Sequence, residues 1–324
     1  MKLTSYARRE IGSSSLPKVV LTDKGYIGFN SPNEELEKAK DALQGKEANN
    51  DLANNPKVQA GTFLEPAIFK LFQDQITKVA GEKLPLEFGI STEAFFYDVD
   101  GGKIGSSLDG IINIKGVLNL TDYLGTSHSL SGLGVVEIKN YSGAATDPVS
   151  EIYQMQVQAQ MLTTKYQYAI LVRLCKGWEL QWFVYKPTKE MQTKLIDAAT
   201  EFFYRLDGIM EGKNLWYKMG SSKEASKFIK GNGSKDVTDL STNNELPKLI
   251  DDFLAAKKTI SAGKEIEDEV STRIKEILGE NEVALCNGYE IKHTTMKRVK
   301  TKTIQLKDEP PTVSRRFSLK QIDA

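Results

Sequence analysis

The sequence predicts an α/β fold, with a mixed central β-sheet flanked by helices, on three observations. Ala60, Leu64, Ala67, Ile68, Leu71, Phe72 and Ile76 recur at helical spacing, which marks a helix over about 57–80 with one face buried. A β-rich stretch follows, then a helix over 148–163 (PVSEIYQMQVQAQMLT) set between apolar strand-like runs. A long amphipathic helix over about 187–212 then carries Met191, Leu195, Ala198, Phe202, Leu206 and Ile209. The order helix, strands, helix, strands, helix is that of an α/β or α+β domain.

Taken from the N-terminus, residues 1–56 form a polar, partly helical segment. In SPNEELEKAKDALQ, Ser31 or Asn33 can cap a helix whose first turn is acidic, and the Asn-rich KEANNDLANNP reads as a loop. The predicted core spans 57–215. Pro66 falls within its first helical pattern and either sits in the first turn or kinks the helix. STEAFFYDV, the turn DGGK and IGSSLDGIINI read as a hairpin, with Asp109 on its second strand. Residues 115–132 read as a loop or small excursion, LGVVEIKNY as a short strand, and YQYAILVRL and WELQWFVY as two more. Residues 216–244, rich in Gly, Ser, Asn and Lys, have linker composition. The predicted C-terminal extension, 245–324, holds two helical stretches, about 245–260 and 264–279, with Gly279 as a cap, and a β-like tail. From Lys292 to Lys320 nine Lys/Arg face two acids, the one clearly basic segment.

Lys+Arg and Asp+Glu both number 43, so a general polyanion-coating role is excluded and any nucleic-acid contact must come from local clustering. Cys175 and Cys286 have no CxxC partner; they cannot build a four-cysteine metal site, suit a reducing cytoplasm, and read as small buried or half-buried hydrophobes. The N-terminus has no apolar signal region and the chain has no membrane-length apolar run, which points to the cytoplasm. A GxxxxGK[ST] phosphate loop is absent, so ATP-driven translocation has no support. His128 and His293 have no partner at metal-ligand or triad spacing and read as surface residues; Trp178, Trp182 and Trp216 read as packing residues.

Three acids stand out by context. Asp109 ends the small-residue run SSLDG; Glu137 ends the apolar run LGVV, with Lys139 two positions on. Residues i and i+2 of a strand share a face, so Glu137 and Lys139 point together. An acid and a lysine at the end of a buried strand are costly unless paired or bound, and a hard divalent cation held by carboxylate oxygens removes that cost. Glu65 stands on the preceding helix, and a glutamine row follows on the next one: Gln156, with Tyr153 at i−3 and Gln160 at i+4 on the same face.

In this order GTFLEP, SSLDG, VVEIKN and YQMQVQAQM resemble the successive motifs of the lambda-exonuclease/YqaJ-like branch of the PD-(D/E)XK nucleases, over about residues 57–215. The resemblance implies a restriction-endonuclease-like core. It also implies a helix glutamate at Glu65, a metal-binding aspartate at Asp109, the E-x-K pair Glu137 and Lys139, and a Y-x-x-Q element at Tyr153 and Gln156. The Asp109–Glu137 interval exceeds that of compact members, which implies an inserted hairpin or loop over 115–134. The family's N-terminal arginine-and-serine element finds a faint echo in Arg9 and Ser13–Ser15, with Ser14 at its centre, as a candidate DNA contact.

The expected chemistry is phosphodiester hydrolysis. Asp109, Glu137 and the carbonyl of Ile138 would ligate one Mg²⁺ (Mn²⁺ able to substitute), with Glu65 acting through water or on a second ion. Lys139 would orient the attacking water or neutralise charge on the phosphate, and Gln156 would position that water or Lys139. Tyr153 and Gln160 are expected near DNA, and the basic tail can track phosphates. The resemblance further implies an exonuclease resecting double-stranded DNA for a single-strand annealing partner, as a homo-oligomer, in the host cytoplasm if phage-encoded. The alternatives are a structure-specific endonuclease or Cas4-like nuclease, the latter opposed by the missing four-cysteine cluster, and a non-catalytic DNA-binding recombination accessory protein.

Overall fold

A computed structural model describes residues 6–21, 31–46, 55–81, 84–229, 239–286 and 289–293. In chain order its elements are β1 (Glu10–Gly12), α1 (Leu16–Val20), α2 (Pro32–Leu43), α3 (Pro56–Ala80), β2 (Leu86–Gly89), β3 (Phe95–Val99), β4 (Gly102–Ser106), β5 (Gly110–Thr121), β6 (Ser127–Tyr141), α4 (Glu151–Thr164), β7 (Ala169–Cys175), β8 (Glu179–Tyr185), α5 (Lys189–Met210), α6 (Ser222–Phe228), α7 (Leu246–Leu278), β9 (Val283–Cys286) and β10 (Tyr289–Lys292). A short 3₁₀ turn, Tyr6–Arg8, precedes β1. The chain divides into two compact units, Met1–Ile229 and Lys230–Ala324.

The first unit is built on a five-stranded sheet of order β2-β5-β6-β7-β8. Only the β6–β7 pair is parallel, joined through α4; the other pairs are antiparallel, so the sheet is mixed as expected. Side-chain alternation along β6 sends its two faces to different helices. Val136 and Ile138 pack with Ile68, Phe69, Phe72 and Ile76 of α3, while Val135 packs with Val157 and Met161 of α4. The sheet is therefore covered on both faces, which explains why the second half of β6 and all of β7 are nearly continuous apolar runs.

A three-stranded sheet of order β1-β4-β3 lies beside a helical layer in the same unit. Ile11, Leu16, Val19 and Leu36 from the N-terminal segment pack with Ile104 of β4 and with Leu195, Phe202, Phe203 and Leu206 of α5. Within that layer Glu35 is buried and accepts hydrogen bonds from Tyr6 Oη at 2.5 Å, Lys18 Nζ at 3.0 Å and Lys38 Nζ at 3.3 Å. The helix α2 opens on a capping box: Ser31 Oγ accepts from the Glu34 amide, and the Glu34 carboxylate accepts from the Ser31 amide.

Several expectations are corrected here. The hairpin is β3–β4 alone, closed at Gly101, and the chain then leaves for the other sheet. Asp109 therefore stands in the connection between β4 and β5 rather than on the hairpin's second strand. The stretch read as a loop or small excursion at 115–132 is the outer part of a β5–β6 hairpin that turns at 122–126, the hairpin alternative expected from the long Asp109–Glu137 interval, with an irregularity between Ile114 and Leu118. Leu118, Leu120 and Leu130 are its inward residues; the polar residues alternating with them masked the strand pattern. Pro66 lies in the interior of α3, not in its first turn. Trp178 is 72% exposed, while Trp182 and Trp216 pack against the cores. Cys175 is buried as expected, whereas Cys286 is exposed. His128 is not a free surface residue: its Nε2 lies 3.0 Å from Asp122 Oδ2 at the hairpin turn.

In the second unit the two expected helices are one, α7, because the Ser261-Ala262-Gly263 step costs only about 1 kcal/mol of helix propensity and carries no proline. Gly279 caps it, its amide bonding the Lys275 carbonyl. The strands β9 and β10 pair antiparallel. Most of the basic segment, from residue 294 onward, lies outside the described residues.

Candidate active site

The pairing of β5 with β6 ends at Gly110 and Val136, and the site forms where it stops. One residue before β5, Asp109 turns its carboxylate toward β6 and accepts the Ile138 amide on Oδ2 at 2.8 Å. The N–H and C=O of a strand residue project to the same side, so the Ile138 carbonyl also faces Asp109. Glu137 and Lys139 flank Ile138 and project to the opposite face from its side chain, onto α4.

Glu137 is 1% exposed, and both its oxygens are held by protein donors. Oε1 accepts from the Lys139 ammonium and from Gln156 Nε2, the latter at 2.6 Å; Oε2 accepts from Gln160 Nε2 at 2.6 Å. The Lys139 ammonium also lies 5.1 Å from the centre of the Tyr153 ring. Burial alone would push Lys139 down; the charge and hydrogen bond of Glu137, with Asp109 and Tyr153, together outweigh it and raise the group above the ordinary lysine value, so it is a fixed positive charge.

Glu65 reaches this end of the sheet through close packing. A Cβ on Gly110 would lie 2.6 Å from the Phe69 ring, so glycine leaves the room in which Phe69 of α3 packs on the start of β5. Glu65 stands one turn before Phe69 on the same helix face. Its charge, after burial and Glu137, adds to the forces that push Asp109 up to about 7, against the Ile138 amide and Lys139, which lower it. Glu137 and Glu65 thus both act on Asp109 at the sheet end, with Lys139 opposing them.

This donor set fits a hard divalent cation. Asp109, Glu137 and the Ile138 carbonyl offer oxygen ligands, and burial first, then the Glu137 charge, push Asp109 upward, so a cation here would stabilise its charged form. Among the described residues no three acidic, histidine or cysteine side chains stand in a ready-made metal cage. Gln160 Oε1, buried with no hydrogen-bond partner among the described residues, is a polar atom without a protein donor beside the site.

The structure brings Glu65, Asp109, Glu137, Ile138, Lys139, Tyr153, Gln156 and Gln160 together. It places Tyr153 against Lys139 and Gln160 against Glu137, contacts the sequence reading had not assigned them. Arg9 is engaged elsewhere: its Nη1 and Nη2 bind Asp207 of α5 at 2.8 and 2.9 Å, and Nε donates to the Gly101 carbonyl. Ser13 is buried and Ser14 exposed.

One residue escaped the sequence reading. Arg173 of β7, paired in register with Lys139, is 2% exposed. It binds Gln181 Oε1 through Nε and Nη2, and the carbonyls of Ala145, Asp147 and Pro148 in the loop from β6 to α4. The rings of Tyr141 and Phe183 lie 4.9 and 5.3 Å from its guanidinium carbon. The signal was a lone arginine in the apolar run AILVRLC, a charge that burial forces to find partners.

Fold and site together define a mixed α/β protein with an acidic, lysine-bearing centre where the β5–β6 pairing stops. A family model described as the YqaJ-like viral recombinase domain matches residues 6–167, half of the chain, and the chain belongs to that family. The family assignment bears out the resemblance drawn from the motifs. Among solved structures the chain is similar to LHK-Exo in complex with dAMP, at 16% identity and a TM-score of 0.44 over 65% of this chain and 94% of that one. It is also similar to LHK-Exo, an alkaline exonuclease from Laribacter hongkongensis, at 16% identity and a TM-score of 0.43 over 64% and 92%. No curated protein sequence matches the chain. Among the described residues no helix is long and apolar enough to cross a membrane.

Proposed function

We propose that this chain is a divalent-metal-dependent deoxyribonuclease, an exonuclease that hydrolyses phosphodiester bonds at the ends of double-stranded DNA in phage-type recombination. The observation that carries the reading is the meeting of Asp109, Glu137 and Lys139 where the β5–β6 pairing stops, with Asp109 raised by burial and then by the Glu137 charge. Membership of the YqaJ-like family supports it.

Asp109, Glu137 and the Ile138 carbonyl would hold Mg²⁺, or Mn²⁺ in its place, and Glu65 would act through water or on a second ion. When bound, the ion supplies Lewis acidity, polarising the scissile phosphate and lowering the pKa of water. The chain's own groups do the rest. Lys139 keeps its proton and offsets charge gathering on the phosphate oxygens in the transition state. Tyr153 holds the lysine from its ring face, and Gln156 tethers Glu137 Oε1, so neither group must reorganise as the reaction proceeds. The basic C-terminal segment adds sequence-independent phosphate affinity. The working context is the host cytoplasm, with a single-strand annealing protein as partner and further copies of the chain as subunits.

The test is digestion of end-labelled linear duplex and covalently closed circular duplex in Mg²⁺. The reading expects linear DNA to be degraded from its ends while circles persist. Cut circles would remove the exonuclease assignment, and no degradation of either substrate in Mg²⁺ or Mn²⁺ would remove the nuclease itself.

A further inference from the structure

We propose that Gln160 is a positioning residue that fixes the Glu137 carboxylate for cation binding, rather than a DNA contact; this rests on the nuclease reading above. Gln160 sits on the face of α4 packed against the sheet, one turn after Gln156, and its side chain is fully buried. A side chain with no exposed surface cannot bind a phosphate backbone without displacing the helix that carries it. Its Nε2 instead donates to Glu137 Oε2 at 2.6 Å, and the Ser107 carbonyl lies 3.4 Å from the same atom. Ser107 is two residues before Asp109, so one amide group joins the strand bearing Glu137 to the connection bearing Asp109.

The division of labour at Glu137 makes the role specific. Oε1 is shared between Lys139 and Gln156, whereas among the described residues Gln160 alone donates to Oε2. With both oxygens tied, the carboxylate plane is set; with Gln160 gone, it can turn about its last bond and a buried charged oxygen loses its donor. Groups that orient a ligating carboxylate in this way contribute about 10- to 100-fold to metal affinity. The sequence offered only a glutamine row on one helix, from which a buried tether and a DNA contact cannot be told apart.

The experiment measures Mn²⁺ affinity of the full chain by titration calorimetry for wild type, Gln160→Met, which keeps the volume and removes the donor, and Gln160→Asn, which keeps the amide and withdraws it. Thermal unfolding of each variant and KM for linear duplex at saturating Mn²⁺ accompany the titration. Expected are Mn²⁺ affinities about 10- to 100-fold weaker in both variants with KM for DNA unchanged. Unchanged Mn²⁺ affinity overturns the proposal, whether the variants merely melt earlier, as a packing role predicts, or show a raised KM, as a DNA contact predicts. Should Gln160→Met fail to fold, Gln160→Asn decides alone. Wild type that binds no Mn²⁺ overturns this proposal and the nuclease reading together; wild type that binds while the variants bind equally well overturns this proposal only.

Discussion

Asp109 and Ile138, 29 residues apart in sequence, are joined by one hydrogen bond from the Ile138 amide to the Asp109 carboxylate at 2.8 Å. That bond spans the point where β5 and β6 cease to pair. It sets Asp109 beside the strand that carries Glu137 and Lys139, although Asp109 itself belongs to no strand.

The same placement predicts the behaviour of Asp109→Asn. Asp109 is raised from 3.8 to about 7, first by burial and then by Glu137. Between those values the folded chain holds a proton that the unfolded chain has released, so stability falls as pH rises from about 4 to 7 and the full penalty persists above it. Asparagine keeps the acceptor for Ile138 and removes the charge. At pH 8 without metal, Asp109→Asn should melt above wild type, while metal-dependent cleavage drops by at least about 100-fold. A variant that melts below wild type at pH 8 would contradict the account of Asp109.

Glu35 predicts the opposite pH trend. Burial would raise it, but Lys18, the Tyr6 hydroxyl and Lys38 together hold it at about 2. A carboxyl depressed in the folded state contributes stability that is complete above its unfolded value, 4.5, and is lost as pH falls toward 2. The contribution is on the order of 3 kcal/mol. Urea unfolding of wild type between pH 6 and 2.5 should show this loss, and Glu35→Gln should flatten it; parallel curves for the two proteins would rule the network out as the cause.

The contact of Gly110 with Phe69 predicts that Gly110→Ala is felt in catalysis. The new methyl must displace the buried Phe69 ring, costing about 1–3 kcal/mol of stability, and we predict that the strain passes through α3 to Glu65. Gly134 makes a useful comparison, since its added Cβ would meet the Tyr168 ring at 2.1 Å on β6 instead. Both alanine variants should melt earlier, and Gly110→Ala should lose more cleavage activity per degree of Tm than Gly134→Ala. Equal activity losses at equal Tm would detach Glu65 from the site.

Arg173 predicts a large stability effect remote from any surface. Replacing it with methionine strips hydrogen bonds from the Ala145 and Asp147 carbonyls and from Gln181, and should cost roughly 3–5 kcal/mol. Arg173→Lys should recover only part, since an ammonium cannot reproduce the planar fork. Urea midpoints measure both; a methionine variant within about 1 kcal/mol of wild type would show that the loop into α4 holds without the arginine.

What could be read from the sequence follows from how local each signal is. The helix α3, the strand ending in Glu137 and Lys139, and the capping of α2 rest on periodicity and adjacent residues, and each was legible. The outer β5–β6 hairpin was legible only as one of two alternatives, hairpin or loop, because its inward leucines alternate with Asn119, Thr121, Ser129 and Ser131, residues equally at home in a loop. The roles of Gln160 and Tyr153 were hidden for another reason: face-sharing along a helix is a sequence property, but which strand that face meets is a tertiary one. Arg9 illustrates the same limit, since its pairing with Asp207 spans 198 residues.

The central claim is that Asp109, Glu137 and Lys139 form a phosphodiester-cleaving centre, and its most direct test is single-turnover cleavage of end-labelled linear duplex by wild type and Lys139→Met, with Mn²⁺ binding followed in parallel. The account predicts Mn²⁺-dependent nucleotide release by wild type and a rate at least about 100-fold lower in the variant, which still binds Mn²⁺ because its carboxylates remain. A Lys139→Met rate equal to wild type would contradict it.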